Sequence, residues 1–474
     1  MVLGIREGYN LVNSEIFRAY DIRGIVDQTL TEETVFLIGK AIGEKTLLNG
    51  TKQVVVARDG RLSGPRLISK LKQGIITTGC NVLDLGLVPT PGLYFAACTL
   101  NIDSAVMLTG SHNPPNYNGL KIILSGQAIY GDQILELKNL IIANQNNQAN
   151  QINKIGEVKE INIIDQYIQY IVDNIKINQK TKKLTAVVDC GNGAAGAVAE
   201  KLFNALGIHC IPLYCEIDGN FPNHHPDPGD PKNLKDLKQA VLEHNADLGI
   251  AFDGDGDRLG VIDNKGNIIW PDRYLMLFAK DILQKNNNAT IIYDVKSTNH
   301  LQALIQKHGG QPLMWKTGHS LIKAKMQETK ALLAGEMSGH VFFKDRWFGF
   351  DDGLYTAARL IELLANSEKN LHDMCRDLPE NVSTPELIIQ SSESKKHGIV
   401  EKLIAMVSKT TARITTIDGL RLDFTNCWGL VRVSNTTPNL IARFEAVDAV
   451  GLEQIKETFK KYLLAIDPNL LLPF

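Results

Sequence analysis

Three apolar runs set the rhythm of this chain. Val54-Val-Val-Ala-Arg-Asp59, Thr185-Ala-Val-Val-Asp189 and Ile291-Ile-Tyr-Asp294 are β-branched, lack polar alternation, and each ends on an aspartate. Continuous apolar character over so short a span predicts strands covered on both faces. A helix-compatible segment follows each run, then a glycine and a second strand: Gly79 with Val82 to Leu85, Gly207 with Ile208 to Ile211, and Gly310 with Pro312 to Trp315. A third apolar run then breaks into a polar loop, at Thr109–Pro115, Asp253–Arg258 and Gly335–His340. One α/β module occurring three times explains this periodicity. Strand and helix alternation with short turns predicts mixed, mostly parallel sheets with ligand loops at the strands' carboxyl ends.

The last ninety or so residues follow another pattern. A helix is expected at 395–408, short strands at 412–416, 420–424 and 428–433, and an amphipathic helix at 448–464, which together make an α+β domain. The Asn/Gln-rich stretch 143–155 reads as a surface loop closing the first module, and Asp377–Pro385 as a second boundary. The expected domains are 1–158, 159–266, 267–378 and 379–474.

Composition narrows the class. Fifty basic and 52 acidic residues leave a formal charge of −2, so no global field draws the chain to nucleic acid or to a membrane surface. Neither a signal-peptide core nor an apolar stretch of about 18 residues occurs. The seven cysteines, an odd and scattered set, suit reduced thiols and a cytoplasmic protein.

The candidate chemistry lies in the loops. Thr109-Gly-Ser-His-Asn-Pro-Pro115 forces the backbone out of the Ser104–Leu108 strand and displays Ser111 where a hydroxyl can act as nucleophile or phosphate carrier. A solvated turn is the alternative. Asp253-Gly-Asp-Gly-Asp-Arg258 offers three carboxylates at alternate positions, with glycines that let the backbone close on a hard cation such as Mg²⁺. An EF-hand is excluded: Arg258 stands where its glycine belongs and Asn264 where its bidentate glutamate belongs. Gly335-Glu-Met-Ser-Gly-His340 suits hydrogen bonding to vicinal sugar hydroxyls through Glu336, Ser338 and His340, or makes an ordinary polar loop, the reading the string alone favours. Arg432-Val-Ser-Asn-Thr-Thr-Pro438 combines a guanidinium fork with turn amides, a phosphate cradle or a plain hairpin. Lys121, Lys296, His319 and Arg23 add cations and candidate acid-base groups. Gly191-Asn-Gly-Ala-Ala-Gly196 satisfies a dinucleotide fingerprint, with Glu216 downstream. The matching turns after Asp59 and Asp294 lack those glycines, so it is read as a tight strand-to-helix turn.

With Phe17–Gly24, Thr109–Pro115, Asp253–Arg258, Gly335–His340 and Arg432–Pro438 in this order, the chain resembles the α-D-phosphohexomutase superfamily over nearly its whole length. The spellings GEMSGH and RVSNTTP are most similar to its bacterial phosphomannomutase/phosphoglucomutase branch. The resemblance implies four domains around a central cleft, the first three being similar α/β modules. It implies Ser111 as phosphoryl carrier and, with Asp253, Asp255 and Asp257, as a Mg²⁺ ligand. Arg258, Lys121, His340 and Arg23 correspond to catalytic positions, and Tyr20, Lys296, His319, Glu336 and Ser338 to substrate contacts. Arg432, Ser434, Asn435 and Thr436 correspond to the distal phosphate site. The implied reaction is reversible phosphoryl transfer between C6 and C1 of mannose or glucose phosphates, with a hexose 1,6-bisphosphate as intermediate and activator. The implied state is a cytoplasmic monomer that binds neither nucleic acid nor membrane. Met337 and Asn435-Thr-Thr-Pro438 depart from the glucosamine mutase pattern, which is kept as the alternative; a Mg²⁺-dependent sugar phosphatase and a non-catalytic phosphosugar-binding protein are the remaining rivals.

Overall fold

The computed structural model describes residues 12–146, 155–177, 183–407, 410–435 and 437–474. The chain divides into two compact units. One holds everything to Pro271 together with Ser338–Asp373; the other comprises Asp272–Met337 and Met374–Phe474.

In the first unit, the run at Gln53–Arg58 is the central strand of a sheet ordered Ile22–Ile25, Tyr117–Leu124, Ala105–Leu108, Gln53–Arg58, Asn81–Leu87, Val158–Glu160. The last four are mutually parallel, while Tyr117–Leu124 pairs antiparallel with Ala105–Leu108 and Ile22–Ile25 pairs antiparallel with Tyr117–Leu124. The helix Gly64–Ile76 carries Pro65 in its first turn, where the missing N–H costs nothing, and it buries Leu67 and Leu71 with Val54, Val56, Val106 and Leu108. Covering both faces is why these strands read as unbroken apolar runs.

The same order recurs in the second sheet. Thr185–Asp189 lies between His209–Leu213 and Leu248–Phe252, all parallel, and Leu259–Asp263 with Ile268–Ile269 extend it antiparallel. In the second unit, Thr290–Asp294 lies between Gln311–Trp315 and Leu333–Gly335, again parallel. Second strand, first strand, third strand is therefore the shared topology of three modules. Parallel neighbours need crossover connections, here Gly64–Ile76, Ala199–Ala205 and Asn299–Lys307 from first strand to second.

The remainder of the second unit carries an antiparallel sheet, ordered Val382–Ser383, Leu440–Ala446, Cys427–Val433, Leu420–Asp423, Arg413–Thr415, with Leu387–Ile389 also on Leu440–Ala446. Helices Lys396–Met406 and Ala449–Ile466 supply Leu403, Phe459 and Leu463 to its core. The α+β expectation holds, with the strands at 382, 387 and 440 additional to it. One loop expectation fails in part: residues 143–146 continue the helix Asp132–Asn146, and 147–154 lie outside the described residues. Among the described residues, no helix is long and apolar enough to cross a membrane.

Candidate functional site

In the first unit, the serine loop and the aspartate loop meet. Both leave the carboxyl ends of third strands, Ala105–Leu108 and Leu248–Phe252. Gly254 makes the approach possible, because a Cβ there would fall 2.4 Å from the Ser111 carbonyl oxygen. Ser111 is buried and held at φ 48°, a left-handed conformation costing a non-glycine residue about 1 kcal/mol. Its hydroxyl donates to Asp253 Oδ2 at 2.9 Å and lies 3.2 Å from His112 Nδ1. Burial, then the charge of Arg258, holds His112 well below the ordinary histidine value.

The three carboxylates are completely buried, with ligand oxygens within 4.8 Å of one another. Asp253 Oδ1 accepts the amides of Gly256, Asp257 and Arg258 at 3.1–3.2 Å, which folds the loop around that carboxylate. Arg258 Nε donates to Asp253 Oδ2 at 3.0 Å, and its Nη1 reaches Asp227 at 3.2 Å. Lys121 Nζ bonds Asp255 Oδ2 at 2.6 Å and also Asp257 Oδ2. Burial opposes its charge, yet Asp255 and Asp257 carry Lys121 well above the ordinary lysine value. Asp253 is pushed up to about 7 by burial and by the like charges of Asp255 and Asp257, despite Arg258. A divalent cation would relieve this crowding, and Asp255 Oδ1 is buried with no hydrogen-bond donor among the described residues. An all-oxygen carboxylate set of this kind fits a hard ion such as Mg²⁺.

His340 pairs with Arg258 in an antiparallel bridge, its Nδ1 3.1 Å from Asp351 and 3.5 Å from Asp257. Arg23 sits opposite Gly119 at the sheet edge and spans Asp21, at 2.6 Å, and Asn113 of the serine loop. Tyr20 is half-buried in the turn before it, and Ser338 is half-buried next to Gly339.

The remaining expected residues gather in the second unit. Arg432 Nε donates to Asp418 at 3.0 Å, and Asn435 Nδ2 to the Thr317 carbonyl at 3.4 Å. Lys296 lies 2.5 Å from Glu386 and 3.7 Å from Asp294. Burial disfavours its charge, but these carboxylates hold it above the ordinary value. Glu336 Oε1 accepts from Gly318 N at 3.1 Å, directly before His319 at the start of helix His319–Thr329. The Ser434 hydroxyl accepts from Thr437 N at 3.2 Å and Thr437 Oγ1 at 2.8 Å. Thr436 lies outside the described residues.

Several residues of these clusters escaped sequence reasoning. Arg61 is fully buried beneath the serine loop, where its guanidinium donates to the carbonyls of Pro114 (2.6 Å), Tyr117 (2.9 Å), Ser111 (2.8 Å) and Asn113 (2.6 Å) and, through Nε, to Asp59 (3.2 Å). Asp59 also accepts from Thr109 Oγ1 at 2.8 Å and Gly110 N at 3.2 Å. Thr90 Oγ1 donates to Asp255 at 2.5 Å. In the second unit Lys396, buried, ties the carbonyls of Ser434 and Thr437 at 3.1 and 3.2 Å. The aspartate ending the first apolar run was the one visible signal for the Asp59–Arg61 pair.

Known proteins are similar to this chain along its length. Residues 14–148, 165–266 and 270–382 match alpha/beta/alpha domains I, II and III of Phosphoglucomutase/phosphomannomutase, and 386–461 match its C-terminal domain. A phosphomannomutase/phosphoglucomutase of Pseudomonas putida is 54% identical over 459 residues, covering 97% of both chains. A phosphoglucomutase of Neisseria gonorrhoeae is 48% identical over 98% of this chain and 99% of its own. The crystal structure of a phosphoglucomutase/phosphomannomutase family protein from Burkholderia thailandensis superposes with a TM-score of 0.91 at 48% identity, covering 98% of this chain and 100% of that one. With four domain matches in order and relatives aligned along nearly its full length, this chain belongs to the phosphoglucomutase/phosphomannomutase family.

Proposed function

We propose that this chain is a mutase that interconverts the 6-phosphates and 1-phosphates of mannose and of glucose through a phosphoserine at Ser111. The observation that carries the reading is the buried Ser111 hydroxyl on Asp253, inside a carboxylate cluster that also holds Lys121 and Arg258. Asp253, Asp255 and Asp257, with Ser111 itself, would hold Mg²⁺, which supplies charge neutralisation for a transferring phosphoryl group. Lys121 and Arg258 are the fixed cations around the phosphoryl oxygens, a preorganised field that needs no rearrangement as the reaction proceeds. His340, its Nδ1 3.1 Å from Asp351, is the candidate for holding the proton of the attacking sugar hydroxyl, with Lys121 as a further proton-transfer candidate and Arg23, whose guanidinium stays protonated, as electrostatic support.

The sugar is read by other groups. Glu336 and Ser338 bind two adjacent hydroxyls, so the 2-hydroxyl that distinguishes mannose from glucose goes unread. Arg432, Ser434, Asn435 and Thr436 receive the phosphate that is not being transferred, with Lys296, His319 and Tyr20 contacting substrate. Transfer from phosphoserine gives a hexose 1,6-bisphosphate; this intermediate turns end for end and returns its other phosphate to Ser111. The same bisphosphate recharges an enzyme that has lost its phosphate. The protein acts in the cytoplasm, a reading supported by seven free cysteines, as a monomer whose domains divide after residues 158, 266 and 378.

Intact mass tests the central claim. The expected result is an added mass of about 80 Da on Ser111, discharged by excess glucose 1-phosphate or mannose 1-phosphate with Mg²⁺ and restored by the bisphosphate. A protein that isomerises these sugars while Ser111 never carries phosphate would refute it.

A further inference from the structure

The glycine-rich turn Gly191–Gly196 binds no ligand in the function above, yet its packing is tight. Gly193 abuts Gly254, where an added Cβ would come 2.8 Å from the Gly254 carbonyl oxygen, and Ala194 N donates to that oxygen at 2.9 Å. Gly196 abuts the Cys215 carbonyl, 2.1 Å from the position of its own would-be Cβ. The glycines are thus consumed by backbone packing, between the aspartate loop on one side and the segment after strand His209–Leu213 on the other. Two cysteines lie at this junction. Cys190 and Cys215 follow adjacent parallel strands paired through Asp189 and Leu213, and their Sγ atoms are 3.3 Å apart. Strands so paired lie about 4.8 Å apart, which brings the residues just past their ends, offset here by one position, into each other's neighbourhood.

We propose that Cys190 and Cys215 are a redox modification site: a peroxide oxidises them to a disulfide that misplaces the neighbouring aspartate and serine loops and suppresses turnover. Cys215 is half-buried and Cys190 fully buried, so Cys215 meets the oxidant first. Its thiol is lowered by the hydrogen bond with Cys190, while Cys190 is raised by that same bond and by burial, the asymmetry of an attacking and a resolving thiol. The Cys215 thiolate attacks a peroxide oxygen, breaking the O–O bond and giving a sulfenic acid and hydroxide. Cys190 then displaces the sulfenic hydroxyl as the S–S bond forms, its proton leaving with that hydroxyl as water. The sulfurs must close from 3.3 Å to the length of a disulfide, about 2.05 Å. That movement draws on backbone packed against Gly254 through Gly193, and on the 215–219 segment, where Gly219 packs against Arg61 and Leu62.

The reduced full-length protein, treated with hydrogen peroxide, supplies the test. Expected are the loss of two hydrogens in intact mass, fragmentation that maps a Cys190–Cys215 cross-link, and a fall in mutase turnover of roughly tenfold or more, as ångström-scale misplacement produces; dithiothreitol reverses all three. Cys215→Ser keeps its basal turnover and resists peroxide, and Cys190→Ala provides a second block. Separately alkylatable Cys190 and Cys215 after peroxide, or a cross-link to Cys210 instead, would overturn the assignment. A formed cross-link with unchanged turnover would overturn the coupling. The turnover arm rests on the mutase reading, whereas the cross-link arm stands without it.

Discussion

Replacing Arg61 with lysine isolates what holds the serine loop in its shape. The guanidinium donates to four carbonyls, those of Ser111, Asn113, Pro114 and Tyr117, and to Asp59. A lysine ammonium has three protons on one atom, so at least two of these five buried acceptors lose their donor. At about 1–1.5 kcal/mol per bond, that is about 2–3 kcal/mol. The deficit falls on a loop already held in a left-handed conformation at Ser111. If it is expressed as loop disorder, the competent population drops about 30- to 150-fold, at 1.36 kcal/mol per tenfold. Turnover of glucose 1-phosphate, read by a coupled assay for glucose 6-phosphate, should fall within that range, while circular dichroism reports a folded protein. Arg61→Ala is the harsher change, leaving Asp59 buried without its counter-charge at a cost of about 3–5 kcal/mol. An Arg61→Lys enzyme that folds and turns over within twofold of the parent would refute the positioning argument.

Other outcomes follow from the same geometry. Ser111→Ala removes the phosphoryl carrier, so turnover should vanish and no phosphate should be found on the protein by intact mass. Chelation with EDTA should abolish transfer and added Mg²⁺ restore it; the Asp255→Asn variant should need more Mg²⁺ for half-maximal rate. Lys396→Met removes the tether on the Ser434 and Thr437 carbonyls, and a lost charged hydrogen bond of about 1.5–3 kcal/mol should appear as a raised KM more than a lowered kcat. Asp352 caps the helix Gly353–Ala365 and accepts the Tyr167 hydroxyl, and burial pushes its carboxyl up to about 7. The folded protein therefore keeps a proton that the unfolded chain loses near pH 4. This contribution to stability is full below about pH 4 and is lost as pH rises through about 7, a swing of at most about 4 kcal/mol. Asp352→Asn keeps the cap, so it should raise the Tm relative to the parent at pH 8 and lose that advantage at pH 5; an equal Tm difference at both would count against the titration.

The sequence by itself determined the three modules, because β-branched runs, glycine turns and period-3.6 segments are local patterns, and a strand buried on both faces advertises itself by its lack of polar residues. It also determined which loops carry chemistry, since Asp253-Gly-Asp-Gly-Asp-Arg258 and Thr109–Pro115 are written contiguously. What it left open is what lies between such loops. Arg61 looks like any polar residue after a strand, and only folding sets it 50 residues away beneath Ser111. Lys396 reads as one more helix lysine until the Arg432 loop closes over it. Cys190 and Cys215 are 25 residues apart in the chain and 3.3 Å apart in space, because neighbouring parallel strands align their ends whatever the length of the crossover between them. Side chains that support a site act through distance in space, a quantity fixed by the packing of sheets and helices and absent from any local string of residues.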